Sequence, residues 1–388
     1  MPTVSRRSFL SAMTAFGALG VLSACSQPGQ ATAGRSKQSV WITYPVGTGT
    51  YNDVAAVANM LTSETGSPVR LMTSDTGIGR LAPLMNGTAQ YARAGDEYYY
   101  AFEGDNEYTS EIWGPQRIRL LWTPPGNYGL LVRRDSGIEK PEDLRGKRFP
   151  NLVSSTSMNN KMLGMLKFAG LDHSDVQLVE IGYAEQAEAI KTGQLDVMYQ
   201  NIQGSTVEEL NTEYPIRWLD YSTSDESRYD SWEELMPMVL PGEATDGAGM
   251  SEGESVTNLQ YSLPILTIAE QPADEVETLL TQMHTHFDAF KDATPDTDKF
   301  ALDQLMMLPL TVPFHEGAIR FFEEHGRWTP GLQERNDALL AREDAMHNAW
   351  PDFWAEHGDA EDVRQRWQDW KRENLPALPV VDDVEGSR

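Results

Sequence analysis

The stretch "WITYPVGTGTYNDVAAVANML", residues 41–61, sets the fold class. Trp41 to Val46 reads as a strand, Gly47-Thr48-Gly49-Thr50 breaks it, and helical spacing then starts at Val54, Val57, Ala58 and Leu61. A strand that turns through glycines into a helix presents free backbone N–H groups at the helix start, a place where an anion can sit. Thr50 with Asp53 fits a capping box there, so Thr48 and Gly49 are the stronger binding candidates. Tyr51, the aromatic residue beside this turn, is a further binding candidate. The stretch is not G-x-G-x-x-G and no G-K-[ST] follows it, so a nucleotide site is not expected.

Upstream lies an export leader. Ser5-Arg6-Arg7-Ser8-Phe9-Leu10 precedes an apolar, small-residue run to Ala24 without an acidic residue. That run is too short and too rich in Gly, Ala and Ser for a comfortable bilayer span. The paired arginines resemble a twin-arginine export signal, and Leu22-Ser23-Ala24-Cys25 resembles a lipoprotein cleavage box. Residues 1–24 are therefore expected to be a leader, Cys25 (the single cysteine) a lipidation site, and 25–38 a flexible tether. The expected location is periplasmic, anchored to a membrane through that lipid. The formal net charge of −27 argues against a nucleic-acid partner, because such binding relies on Lys and Arg neutralising phosphates.

Downstream, short β-like runs alternate with amphipathic stretches, the pattern of an α/β protein. Strand-like runs include Val69–Thr73, Ile118–Trp122, Tyr128–Arg133, Gln177–Ile181 and Val197–Gln200. Helical spacing covers Ile78–Asn86, Asn160–Ala169, Ala184–Thr192 and Val276–Phe290. Residues 241–258, "PGEATDGAGMSEGESVTN", read as a loop or a connection between lobes. In this order stand "DSGIEKPEDLRGKR" (135–148), "AEAIKTGQLDVMY" (187–199) and "HEGAIRFFEEHG" (315–326). This succession, over roughly residues 39–328, resembles the TAXI family of solute-binding subunits of TRAP (tripartite ATP-independent periplasmic) transporters.

The resemblance implies an α/β, two-lobe periplasmic binding protein fold (a Venus flytrap, type II-like) with its ligand in the interlobe cleft. It implies a first lobe of 39–127 plus 241–330 and a second of 128–240, leaving 331–388 as a C-terminal helical extension. It also implies delivery of a small carboxylate-bearing solute, a glutamate-like amino acid or a dicarboxylate, to TRAP membrane subunits. The alternative is a periplasmic sensor lipoprotein, whose ligand site would look the same. A second cradle, Ser154-Ser155-Thr156-Ser157, stands where the family usually has a glycine-rich turn. Its hydroxyls suit a carboxylate, with Ser155, Thr156 and Ser157 as candidates. Asp96 would meet a ligand ammonium while Arg93 offsets the local acids. Asn127 and Tyr128 fall near the lobe crossing, and Asn201 and Gln203 follow a second-lobe strand.

Catalysis is not expected. His284 and His286 are spaced so that they point apart on a helix, no G-x-S-x-G elbow occurs, and no cofactor or metal motif is present. His315 reads as a packing or capping residue. In the extension, Trp350, Trp354, Trp367 and Trp370 read as anchors of helices laid across one lobe.

Overall fold

The computed structural model describes residues 38–153 and 155–384. The leader, Cys25, most of the tether and Ser154 lie outside the described residues.

The first lobe begins as the sequence suggests. Strand β1 (Ser39–Thr43) leads into α1 (Gly49–Thr65), then β2 (Val69–Thr73), α2 (Gly77–Met85), β3 (Tyr91–Arg93), α3 (Glu97–Glu103) and β4 (Ile118–Trp122). Trp41 and Ile42 are both buried although they point to opposite faces, because helices cover both sides of this sheet. Helix α1 buries Val54, Val57, Ala58 and Leu61, the positions whose spacing announced it. It ends at Gly66, whose φ of 67° is left-handed and suits a residue without Cβ. β1 runs parallel to both β2 and β3, with Trp41 opposite Leu71 and Tyr91.

The chain then passes Thr123-Pro124 into the long β5 (Pro125–Arg133) and builds a second lobe. Its elements are β6 (Arg148–Leu152), α4 (Thr156–Phe168), β7 (Gln177–Ile181), α5 (Gln186–Lys191), β8 (Val197–Asn201), α6 (Ser205–Glu213), β9 (Ile216–Trp218), α7 (Asp230–Leu235), β10 (Leu240–Ala244) and β11 (Val256–Ser262). The sheet order is β10-β11-β5-β8, with β9 also on β5, and every neighbour in it is antiparallel. β6 and β7 form a separate parallel pair.

After Leu263-Pro264 the chain returns as β12 (Ile265–Ile268), which enters the first sheet antiparallel between β3 and β4. The first sheet thus reads β2-β1-β3-β12-β4. This corrects the expected boundary: residues 240–262 belong to the second sheet, and the return crossing is at 263–264 rather than 241. The glycines and acids of 241–258 hid two strands, whose register is held by Leu259 and Tyr261 opposite Tyr128 and Gly126. Two open α/β sheets joined by two crossings make the two-lobed periplasmic-binding-protein fold.

Helices α8 (Ala273–Thr285) and α9 (Glu316–Glu324) complete the first lobe. The extension, α10 (Pro330–His357) and α11 (Val363–Asn374), docks on that lobe. Asn336 Oδ1 accepts the Phe314 N–H at 2.8 Å, and Glu343 holds the buried Arg119 through contacts of 2.5 and 2.9 Å. Further along, Arg342 binds both oxygens of Glu103 at 2.8 Å, and Lys371 reaches Glu103 and Asp105 at 2.8 and 2.7 Å. The Trp367 indole donates to the Glu103 carbonyl at 2.8 Å and stacks on Trp370. Trp350 lies so close to Gly114 (φ 63°) that a Cβ there would sit 2.4 Å from its indole nitrogen. The tryptophans therefore serve packing against the first lobe.

Candidate functional site: the interlobe cleft

Ligands of open α/β sheets bind beyond the carboxyl ends of the strands, and here the ends of β1, β3 and β4 face the second lobe. A cavity lies there. From the first lobe it is lined by Thr50 and Asp53 of α1, Arg93 of β3 and Asp296 of the segment after α8. The crossings contribute Pro124 and Leu263, and the second lobe contributes Tyr128 and Asn201. Its free volume is about 10 Å³, room for one water, so a solute enters only when the lobes part.

Arg93 is the unusual member. Its Nη2 lies 3.2 Å from Asp53 Oδ2 and its guanidinium sits over the Phe300 ring, 4.6 Å from the centroid. Its Nε and Nη1 are buried with no hydrogen-bond partner. A buried charged donor left unmatched is costly, and arginine is suited to oxyanions by its fixed set of N–H groups. Asp53 also accepts the Thr294 hydroxyl at 2.6 Å. Burial pushes its carboxyl above the usual carboxylate range, against the pull of Arg93 and Thr294.

Three polar bridges join the lobes around this centre. Asp96, at the start of α3, forms an ion pair with Lys161 of α4 and accepts the Ser157 hydroxyl at 2.5 Å. Lys161 is fully buried, and its ammonium stands 4.5 Å from the centre of the Tyr261 ring. On the other flank Asn201 donates to Asp296 at 3.3 Å, while Lys299 binds Asp296 at 2.9 Å and also Gln203. Between them the Tyr100 hydroxyl accepts from Asn160 at 3.3 Å and donates to the Leu235 carbonyl at 3.4 Å. Tyr128 forms an aromatic wall, stacked 4.5 Å from Tyr261, whose hydroxyl meets that of Tyr199 at 3.0 Å.

Of the residues singled out from sequence, Thr50, Arg93 and Asn201 line the cavity, and Asp96 and Ser157 meet across the lobes. Others are elsewhere. Thr48, not Thr50, caps α1: its hydroxyl accepts the Tyr51 N–H at 3.2 Å and donates to the Pro45 carbonyl at 2.8 Å. That frees Asp53 to turn inward. Gly49 is exposed, Tyr51 is half-buried outside the cavity, and the buried Asn127 Nδ2 has no partner. Ser155 precedes α4 without a side-chain cap, and Thr156 is exposed. Ser155, Thr156 and Ser157 of the second hydroxyl cradle therefore do not line the cavity, and Ser157 is engaged by Asp96. Asp96 itself is met by an internal ammonium rather than left open to a ligand's. His315 caps α9, its Nδ1 accepting the Gly317 N–H at 3.1 Å.

Sequence reasoning missed Asp53 as a cleft acid, and missed Lys161, Asp296 and Lys299. Lys161 carried one local signal, its place four residues after Ser157 on the same helix face. Its partner lies 65 positions away and leaves no local trace. Among the described residues there is no group of three or more His, Cys, Asp or Glu placed to hold a metal, and no helix long and apolar enough to cross a membrane.

Among solved structures, the chain is similar to the periplasmic aliphatic sulphonate binding protein of Escherichia coli. The two are 16% identical, with 91% of this chain and 98% of that one covered and a TM-score of 0.44. A periplasmic transporter structure is 15% identical over 81% of this chain and 99% of its own, with a TM-score of 0.47. A putative L-cystine ABC transporter protein from Listeria monocytogenes is 13% identical over 70% and 98%, with a TM-score of 0.37. The profile of the NMT1-like family matches residues 42–326, from β1 through α9 and so across both lobes. The chain belongs to the NMT1-like family.

Proposed function

We propose that this protein is an extracytoplasmic solute-binding receptor that captures a small carboxylate-bearing solute between its lobes and delivers it to the membrane subunits of a TRAP-type transporter. Its work is binding, not chemistry; it is not an enzyme. The observation that carries this reading is Arg93, buried at the centre of the cleft with two nitrogens unmatched. A carboxylate reaching Arg93 through the open cleft gains charge-assisted hydrogen bonds, and closure strengthens them by excluding water. A solute drives closure only if it contacts both lobes better when they are shut. Tyr128 and Asn201 on one side, with Arg93 and Thr50 on the other, are placed for that. The TRAP assignment rests on the order of sequence motifs, and the anchor on the lipoprotein-like Cys25.

The test is thermal shift of the intact chain against amino acids, dicarboxylates, keto acids and short fatty acids, repeated with Arg93→Gln. A ligand that binds the folded form alone raises the melting temperature by mass action. The expected result is a shift with one carboxylate class that Arg93→Gln abolishes. A shift that survives Arg93→Gln would remove the cleft arginine from the reading. No shift in any class, with native mass spectrometry showing no copurified molecule, would sink the carboxylate receptor itself.

A further inference from the structure

Charge bookkeeping around the cleft narrows the solute, and the argument rests on the receptor reading above. Among the described residues, four acids at or near the cleft each hold a cation belonging to the chain. Asp53 has Arg93, Asp96 has Lys161, Asp296 has Lys299, and Glu97 has Arg80 at 2.5 Å. Asp96 and Lys161 are nearly sealed, their side chains 5% and 0% exposed. A ligand ammonium brought into this shut cleft finds each of those acids engaged, so it must break a buried pair or stay unmatched, and either is costly. The cations are engaged in the same way: Lys161, Lys299 and Arg80 are each held by an acid. Arg93 differs, because its Nε and Nη1 are buried and unpartnered although its Nη2 holds Asp53. The cleft therefore offers charged donors for one oxyanion and no counter-charge for a second.

We propose that the solute is a singly charged organic acid without an ammonium group, a monocarboxylate, and that Lys161 sets this preference by occupying, on Asp96, the place that a ligand's ammonium would take. Dicarboxylates are disfavoured because their second carboxylate lacks a partner. Zwitterionic amino acids are disfavoured because Asp96 is taken. Neutral amides give Arg93 an acceptor but not a charged one, and charge-assisted hydrogen bonds are roughly twice as strong.

Isothermal titration of the intact chain with four matched series tests this: straight-chain monocarboxylates from acetate to octanoate, and the dicarboxylates, 2-amino acids and primary amides of equal carbon number. At least one monocarboxylate is expected to bind, with its three counterparts weaker by about tenfold or more, equivalent to about 1.4 kcal/mol. In Lys161→Met, which frees Asp96, the ratio of the matching amino acid's affinity to the monocarboxylate's is expected to rise about tenfold. Dicarboxylate, amino acid or amide binding as tight as the monocarboxylate's overturns the inference and leaves the receptor reading standing. Absence of binding in all four series, by protein that native mass spectrometry shows to carry no copurified molecule, overturns the inference, and the thermal-shift panel then decides the receptor reading. Monocarboxylate binding with no rise in that ratio in a folded Lys161→Met removes Lys161 as the selecting residue.

Discussion

The protein buries two charge networks, and they differ in which parts of the chain they join. Glu103, Asp105, Arg342 and Lys371 tie α3 to α10 and α11, all on one lobe, under a roof of stacked tryptophans. Asp96 and Lys161 are as deeply buried, but with the half-buried Ser157 they join one lobe to the other. When the first network loses a member, the remaining charge has no route to water short of unfolding the extension. In the second, opening the cleft brings the stranded charge back to solvent. Similar chemistry thus acts as scaffold in one place and as a conformational latch in the other.

Glu103→Gln tests the scaffold and should have the largest effect. It strands Arg342 and leaves Lys371 with Asp105 alone, and loss of a partner from a buried network costs about 3–5 kcal/mol. Chemical denaturation should show that loss; a cost near zero would mean the extension is already loose. Lys161→Met should behave differently, because opening relieves the unpaired Asp96. Its unfolding free energy is expected to fall by about 1 kcal/mol or less, against the 3–5 kcal/mol of a pair that cannot open. Small-angle scattering of the ligand-free variant should show a larger radius of gyration. A compact variant with a large stability loss would erase the distinction between the two networks.

A subtler test lies inside the scaffold. Burial and the neighbouring Glu103 charge push the Asp105 carboxyl up to about 6, although Lys371 and Arg342 oppose them. Burial would raise Glu103 too, but Lys371 and Arg342 outweigh it and hold it down to about 2. Asp105 is thus protonated in the folded protein at pH values where the unfolded chain has already lost that proton. Its contribution to stability is present below the ordinary aspartate value of 3.8 and is lost as pH rises through about 6. The wild-type melting temperature should therefore fall by a few degrees from this group between about pH 4 and 6. Asp105→Asn should flatten that slope, and an unchanged slope would locate the titration elsewhere. Glu103 acts in the opposite sense, its contribution being lost only as pH falls through about 2.

The smallest expected effect is that of Ser155→Ala with Thr156→Ala. Because neither lines the cavity, affinity for the monocarboxylate should change by less than about threefold, or about 0.7 kcal/mol. A larger loss would show that the open form uses a cradle that the shut form hides.

How much of this was legible in the sequence depended on range. Helix α1, its strand and its turn were readable because Val54, Val57, Ala58 and Leu61 repeat at helical spacing beside a glycine-bearing break. Arg93 and Asp96 could be marked as charged residues after a strand. Nothing local says that Asp53 turns inward to Arg93, because its spacing from Thr50 also fits an ordinary helix cap. Strands β10 and β11 were misassigned because Gly242, Glu243 and the acid-rich turn between them mask the alternation. The segment that seats β11 in the sheet, Pro125 to Tyr128, lies more than a hundred residues earlier, and β10 pairs only with β11.

Both passages between the lobes are built from the least pliable residue available. One is Thr123-Pro124-Pro125 and the other is Leu263-Pro264. A pyrrolidine ring fixes its own φ near −65°, and the residue before it is held extended, so these segments resist torsion. Two stiff straps side by side define an axle. Rotation about it has to be absorbed at the strand ends next to them, with Gly126 among the first residues free of a ring. Any rotation of the lobes would then follow a short arc about a fixed line, and each closure would return the same side chains to the same opposite wall.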